Sequence, residues 1–152
     1  MHVEAQQETM ATGIDFVSQR AAKEPKLKFD SVMHHINEGA LKASFHELGR
    51  NRALGVDGVS WQEYGKHLDA NIGDLLGRMK RMGYRPQAVR RVYIPNGRNA
   101  KRPLGLPTIE DKMVQKAMVK VMEAIYEQDF HECSYGFRPK RDCHQALKTV
   151  SK

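Results

Sequence analysis

The chain has 152 residues, 40% hydrophobic and 28% charged, enough for one domain with a buried core. Its net charge of +7 points to a polyanionic partner, and no apolar run approaches the roughly 20 residues of a membrane-spanning helix, so no membrane partner is expected. The polar opening residues argue against a secretory signal, and two cysteines, Cys133 and Cys143, make no disulfide framework, which predicts a reducing, cytoplasmic setting.

Residues 1–25 are polar and weakly patterned up to Glu24-Pro25, which predicts a flexible N-terminal arm ahead of a domain over 26–152. Phe29, Val32, Met33 and Ile36 recur at helical spacing and predict a first helix, interrupted at Asn37-Glu38-Gly39. Leu41, Phe45 and Leu48 predict a second, ending near Gly49, and residues 51–58 read as a loop. Ser60 with Glu63 forms a capping box, opening a helix whose buried side is Trp61, Tyr64, Leu68, Ile72, Leu75 and Met79. Gly83 and Pro86 end it.

Val89–Pro95 and Lys101–Leu106 predict a β-hairpin over about 88–106, joined by the turn formers of 96–100. Thr108 and Asp111 cap a following helix with a core side of Val114, Ala117, Met118, Val121 and Ile125. After a turn at 134–139, a last helix starts near Asp142. Its apolar stripe of Ala146, Leu147 and Val150 has no stop signal behind it, which predicts a piece of a longer parent. The expected class is α+β, mostly helical.

The charge is unevenly spread. Between Asp74 and Glu110 there is no acidic residue, yet Arg78, Lys80, Arg81, Arg85, Arg90, Arg91, Arg98, Lys101 and Arg102 fall there. The remaining 16 basic side chains are outnumbered by 18 acidic ones, so the entire positive excess lies in this window. Nucleic acid is the expected partner, since neutralising phosphates releases condensed counterions; the plainer reading is a solvated face. On the hairpin, Arg90, Arg91, Lys101 and Arg102 project from adjacent strands. Guanidinium groups held this way grip a triphosphate or a nucleic-acid backbone, or else protect an exposed edge strand by charge.

Other chemistry finds little support. No phosphate-binding Gly-rich loop, nucleophile elbow or zincin helix occurs. His131, Cys133, Cys143 and His144 lack zinc-site spacing and read as a helix-terminal histidine and two small buried thiols. His34, His35 and His46 lie on predicted amphipathic helices, and Asp57 reads as a turn residue. No carboxylate pair sits where a polymerase would hold two metal ions, so no catalytic or metal-binding residue is assigned.

Four blocks in order, GVDGVS (55–60), YRPQAVRRVYIP (84–95), KRPLGLPTIEDKMVQKAM (101–118) and SYGFRPKRDCHQAL (134–147), resemble the opening blocks of group II intron reverse transcriptases, also called maturases. The similarity covers about residues 27–152. It implies a fingers subdomain in which the basic hairpin packs on helices. Arg90 and Arg102 match positions that contact the incoming triphosphate, and Leu106 matches an apolar residue packing against the templating base pair. Where the family often has a Lys after Ile-Pro, this chain has Asn96, a gap that Arg98 or Lys101 would fill.

The resemblance further implies a parent RNA-directed DNA polymerase using Mg²⁺, deoxynucleotides, a DNA primer and an RNA template, its metal-binding aspartates in palm motifs this chain lacks. By itself the chain would then be inactive as a polymerase and bind no metal. Lys101 joins Arg90 and Arg102 as a triphosphate contact, while Arg78, Lys80, Arg81, Arg85, Arg91 and Arg98 form the expected RNA-binding set. The alternative is an intron-RNA-binding module that aids splicing without catalysis. A third reading is a helical remnant with an incidental basic face. Surfaces that meet the missing palm and thumb would favour self-association.

Overall fold

The computed structural model describes residues 2–97 and 100–151, with side chains described from Gly13 onward. In order come helices α1 (His2–Lys23), α2 (Glu38–Glu47), α3 (Trp61–Gly65) and α4 (Leu68–Lys80). The strands β1 (Arg90–Asn96) and β2 (Ala100–Leu106) follow, then α5 (Ile109–Tyr126) and α6 (Cys143–Val150). This is an α+β arrangement with one two-stranded antiparallel sheet. No described helix is long and apolar enough to cross a membrane.

The core lies where α2 and α4 meet α5. Leu41 and Phe45 of α2, Ile72 and Leu75 of α4, and Met113 and Ala117 of α5 interdigitate there. Side chains as fully buried as Leu41, Ile72, Leu75 and Met113 each contribute about 1.5–3 kcal/mol by leaving water. Trp61 stacks on Phe45 with ring centroids 4.6 Å apart and donates its indole N–H to the Phe45 carbonyl at 3.0 Å. The expected caps at Ser60 and Thr108 are present, and Asp142, near which the last helix is expected to start, caps it; each accepts a backbone N–H three residues on.

Four expectations need correction. The segment read as an arm is helical over His2–Lys23, and its Val17 and Ala21 are buried as α1 packs on α5 and α2. The segment is rich in good helix formers, and its short apolar stripe finds a distant partner that sequence spacing does not reveal. The helix expected over 29–36 is absent apart from a 3-10 turn at Met33–His35. There Leu27, Phe29, Val32, Met33 and Ile36 line a groove of about 470 Å³ against α5. Extended backbone at Asn37, which caps α2, separates this segment from α2.

The helix expected from Trp61 to Met79 breaks at His67, whose backbone (φ −127°, ψ 37°) leaves helical space. Asn71 bridges the break by donating its side-chain amide to the Tyr64 carbonyl at 3.0 Å. Finally, Met118 is not core: it is 42% exposed, while Met113, outside the expected stripe, is fully buried. α5 turns its Met113–Ala117–Val121 line inward and leaves Met118 at the groove.

Candidate nucleic-acid interface

The hairpin hangs from one buried carboxylate. Asp111, 3% exposed at the start of α5, accepts hydrogen bonds from the Tyr84 hydroxyl, the Gln87 backbone N–H (3.1 Å) and the Thr108 hydroxyl (2.8 Å). The segment leading into β1 and Thr108, two residues past the end of β2, are thus tied to one point. Burial, then the bond to Asp111, pushes the Tyr84 hydroxyl well above its ordinary range and keeps it a donor. At the far end, α4 stops with Met82 in the left-handed region (φ 56°) and Gly83 donating back to the Arg78 carbonyl at 2.8 Å.

The register sorts the basic side chains by face. Arg90 pairs with Leu106 and Ile94 with Arg102, so Arg90, Val92, Ile94 and Asn96 share one face with Arg102, Leu104 and Leu106. On this face Val92, Ile94 and Leu106 are half-buried, while Arg90 and Arg102 remain exposed. Arg91 and Lys101 take the other face with Tyr93, which is 59% exposed. Arg90 and Arg102 are therefore brought to one side, and Lys101 is not. Nor does Lys101 share the face of Asn96, whose missing charge it was expected to replace. Arg98 lies outside the described residues.

The remaining cations differ in availability. Lys80 and Arg81 are exposed at the end of α4. The Arg85 guanidinium donates to the Met82 and Tyr84 carbonyls at 3.1 and 2.9 Å, which fixes its base while leaving it at the surface. Arg78 is turned inward instead. It binds Asp74 at 2.7 Å and Glu110 at 2.8 and 2.9 Å, so its charge is balanced within the fold. Glu110 also accepts from the Tyr64 hydroxyl at 3.3 Å; burial and then the Glu110 charge raise that hydroxyl above its ordinary range.

Two structural roles escaped the sequence. Arg138, buried, donates to Glu127 at 2.8 and 3.0 Å and to the His131 and Ser134 carbonyls at 3.0 and 2.9 Å, which shapes the turn before α6. Lys112 reaches back from α5 to the Ala53 carbonyl at 2.7 Å, bringing the 51–58 loop to the base of the hairpin. The partners lie 4 to 59 residues away, and no sequence motif marks them. Cys133 and Cys143, expected as buried thiols, are exposed. Asp57 behaves as expected, accepting the Val59 N–H at 3.2 Å within a turn.

Among the described residues no three His, Cys, Asp or Glu side chains are placed to hold a metal ion. The described side chains therefore form no such three-ligand site, and no metal-dependent step is assigned to them.

No family model matches the chain. Protein YkfC of Escherichia coli K12 is 37% identical over 135 residues, 86% of this chain and 35% of that protein. Group II intron-encoded protein LtrA of Lactococcus lactis subsp. cremoris is 32% identical over 142 residues, 90% of this chain and 24% of LtrA. An uncharacterized 91 kDa protein in the cob intron of Schizosaccharomyces pombe is 30% identical over 141 residues, 90% of this chain and 17% of that protein. The chain thus spans 35% or less of the length of these relatives.

Proposed function

The chain belongs to the group II intron-encoded proteins, the reverse transcriptase and maturase family, and from that premise we propose that it forms the fingers side of an RNA-directed DNA polymerase. In this reading the hairpin presents Arg90 and Arg102 to the triphosphate of an incoming deoxynucleotide, with Leu106 against the templating base pair. The observation that carries it is the shared face of Arg90, Arg102 and Leu106. Arg90 and Arg102 are offset by four residues of register, about 13 Å along the strands, a separation that two long side chains close by converging on one polyanion. Preorganised guanidinium groups stabilise charge on such a group without reorganising when it arrives. Mg²⁺, the primer and the catalytic carboxylates belong to other parts of the polymerase, so this chain supplies grip and orientation rather than the chemical step.

A second reading has its own observation. Arg91, Lys101 and Tyr93 on the opposite face, with exposed Lys80 and Arg81, form a surface suited to RNA backbone and to a stacked base. The same chain would then hold intron RNA during splicing.

Crosslinking of a radiolabelled deoxynucleoside triphosphate separates the faces. The fingers reading expects loss in the Arg90→Gln/Arg102→Gln pair and retention in Arg91→Gln/Lys101→Gln. Equal retention in both pairs would overturn it. Loss of RNA binding in the second pair alone would favour the splicing role.

A further inference from the structure

We propose that Arg52, Arg90 and Lys112 together form a phosphate-binding site at the base of the hairpin, joining the 51–58 loop, β1 and α5. The inference deepens the reading of the hairpin as a phosphate-binding element and rests on it.

Three separate contacts bring these residues together. Lys112 donates to the Ala53 carbonyl, next to Arg52, at 2.7 Å. Gly55 lies flat on the chain entering α5: a Cβ there would sit 2.6 Å from Thr108 Cα and 2.8 Å from its N, so only glycine permits the approach. Arg90 pairs with Leu106, one residue before the Pro107-Thr108 step that Gly55 touches. Loop, strand and helix thus meet at one place, and each brings a cation.

The cations meet with little to balance them. Among the described residues none of the three makes an ion pair with a carboxylate. Arg52 and Arg90 are exposed and Lys112 is half-buried. Burial, then the charge of Arg52 and, more weakly, of Arg90, push the Lys112 ammonium below its ordinary range, and Asp57 opposes them. Like charges gathered beside a single acid raise the free energy of the empty site, and a bound anion relieves it. An ammonium has three donors, of which Ala53 takes one, so Lys112 keeps two for a phosphate oxygen. Two guanidinium forks beside it match phosphate geometry. The chemistry is that of a phosphate group, supplied either by a nucleic-acid backbone or by a nucleoside triphosphate.

The test is binding of a labelled single-stranded RNA oligonucleotide to the full 152-residue chain, titrated against salt, with inorganic triphosphate as competitor. Arg52→Gln and Lys112→Gln are each expected to lower the log–log salt slope by about 0.7, hence affinity at 0.1 M salt by about fivefold. Asp57→Asn is expected to tighten binding, an effect of opposite sign that damage to the fold would not produce. Lys148→Gln on α6 leaves binding unchanged. Arg52 is exposed, so its variant keeps the test open should Lys112→Gln loosen the loop. Triphosphate that displaces RNA less well from Arg52→Gln than from the unaltered chain assigns the site to nucleotide. Equal displacement with a lowered slope assigns it to the RNA backbone. Salt-steep binding that both variants leave untouched overturns the site while the hairpin reading stands. Salt-insensitive binding by the unaltered chain removes the hairpin reading itself.

Discussion

Arg78 and Glu110 lie 32 residues apart in sequence and meet through two hydrogen bonds of 2.8 and 2.9 Å, which tie the last turn of α4 to the first turn of α5. One of the nine cations of the acid-free window is thereby withdrawn from the surface into an ion pair. Glu110→Gln is expected to destabilise the fold by about 1–2 kcal/mol, the lower part of the range for a charged hydrogen bond because Arg78 is 32% exposed. At this chain length the melting temperature should fall by about 2–4 °C per kcal/mol, readable by calorimetry. Arg78→Gln should weaken stability similarly and leave RNA affinity unchanged at matched salt. A drop in affinity equal to that of Arg102→Gln would show that Arg78 reaches RNA after all.

Asp111 anchors the hairpin through Tyr84, Gln87 and Thr108, and the bonds differ in what their loss exposes. Tyr84→Phe removes one bond and is expected to cost about 1 kcal/mol, whereas Asp111→Ala strands several buried donors and should cost about 3 kcal/mol. Urea denaturation measures both. Amide exchange at Gln87 should accelerate in Asp111→Ala with little change in α2. Uniform acceleration throughout the chain would mean that Asp111 supports the whole fold rather than the hairpin.

These anchors mark the boundary of what the sequence makes legible. The caps at Ser60, Thr108 and Asp142 and the hairpin strands follow from residues a few positions apart, and the structure contains them. The faces of Arg90 and Lys101 depend on register, which the alternation of side chains constrains only once the pairing is known. Glu110 as partner of Arg78, Tyr84 and Gln87 as partners of Asp111, and Ala53 as partner of Lys112 lie 24 to 59 residues away, and no local spacing announces them. α1 was hidden for a related reason. Its few inward side chains gain their burial from α5, more than 80 residues downstream.

The contact between α2 and α5 gives a pH dependence. Burial pushes the Glu47 carboxyl up, but hydrogen bonds from Lys120 and then Lys116, the latter at 3.2 Å, outweigh it and hold the group below the ordinary carboxylate value. A depressed folded-state value means the contribution is complete above the unfolded carboxylate pKa of about 4.3 and is lost as pH falls through the lower folded value. Glu47→Gln should therefore be less stable than the unaltered chain near neutral pH and converge with it in acid. Melting temperatures from pH 7 down to about 3 read the difference, and parallel curves would show that Glu47 carries no such linkage.

If the metal-binding carboxylates belong to the palm, as the fingers reading proposes, the 152-residue chain alone is expected to extend no primer on an RNA template. A nuclease-checked preparation incubated with Mg²⁺ and deoxynucleotides measures this. Template-dependent DNA synthesis by the pure chain would contradict the division of labour proposed for it.

The most direct test of the central claim is the salt dependence of binding to a single-stranded RNA, with the hairpin intact and with Arg90, Arg91, Lys101 and Arg102 all changed to Gln. Counting these four with Lys80, Arg81, Arg52 and Lys112, eight cations should give a log–log slope of about −5.6, falling to about −2.8 in the quadruple variant. A slope that the four substitutions leave unchanged would contradict the assignment of the hairpin as the phosphate-gripping element of this chain.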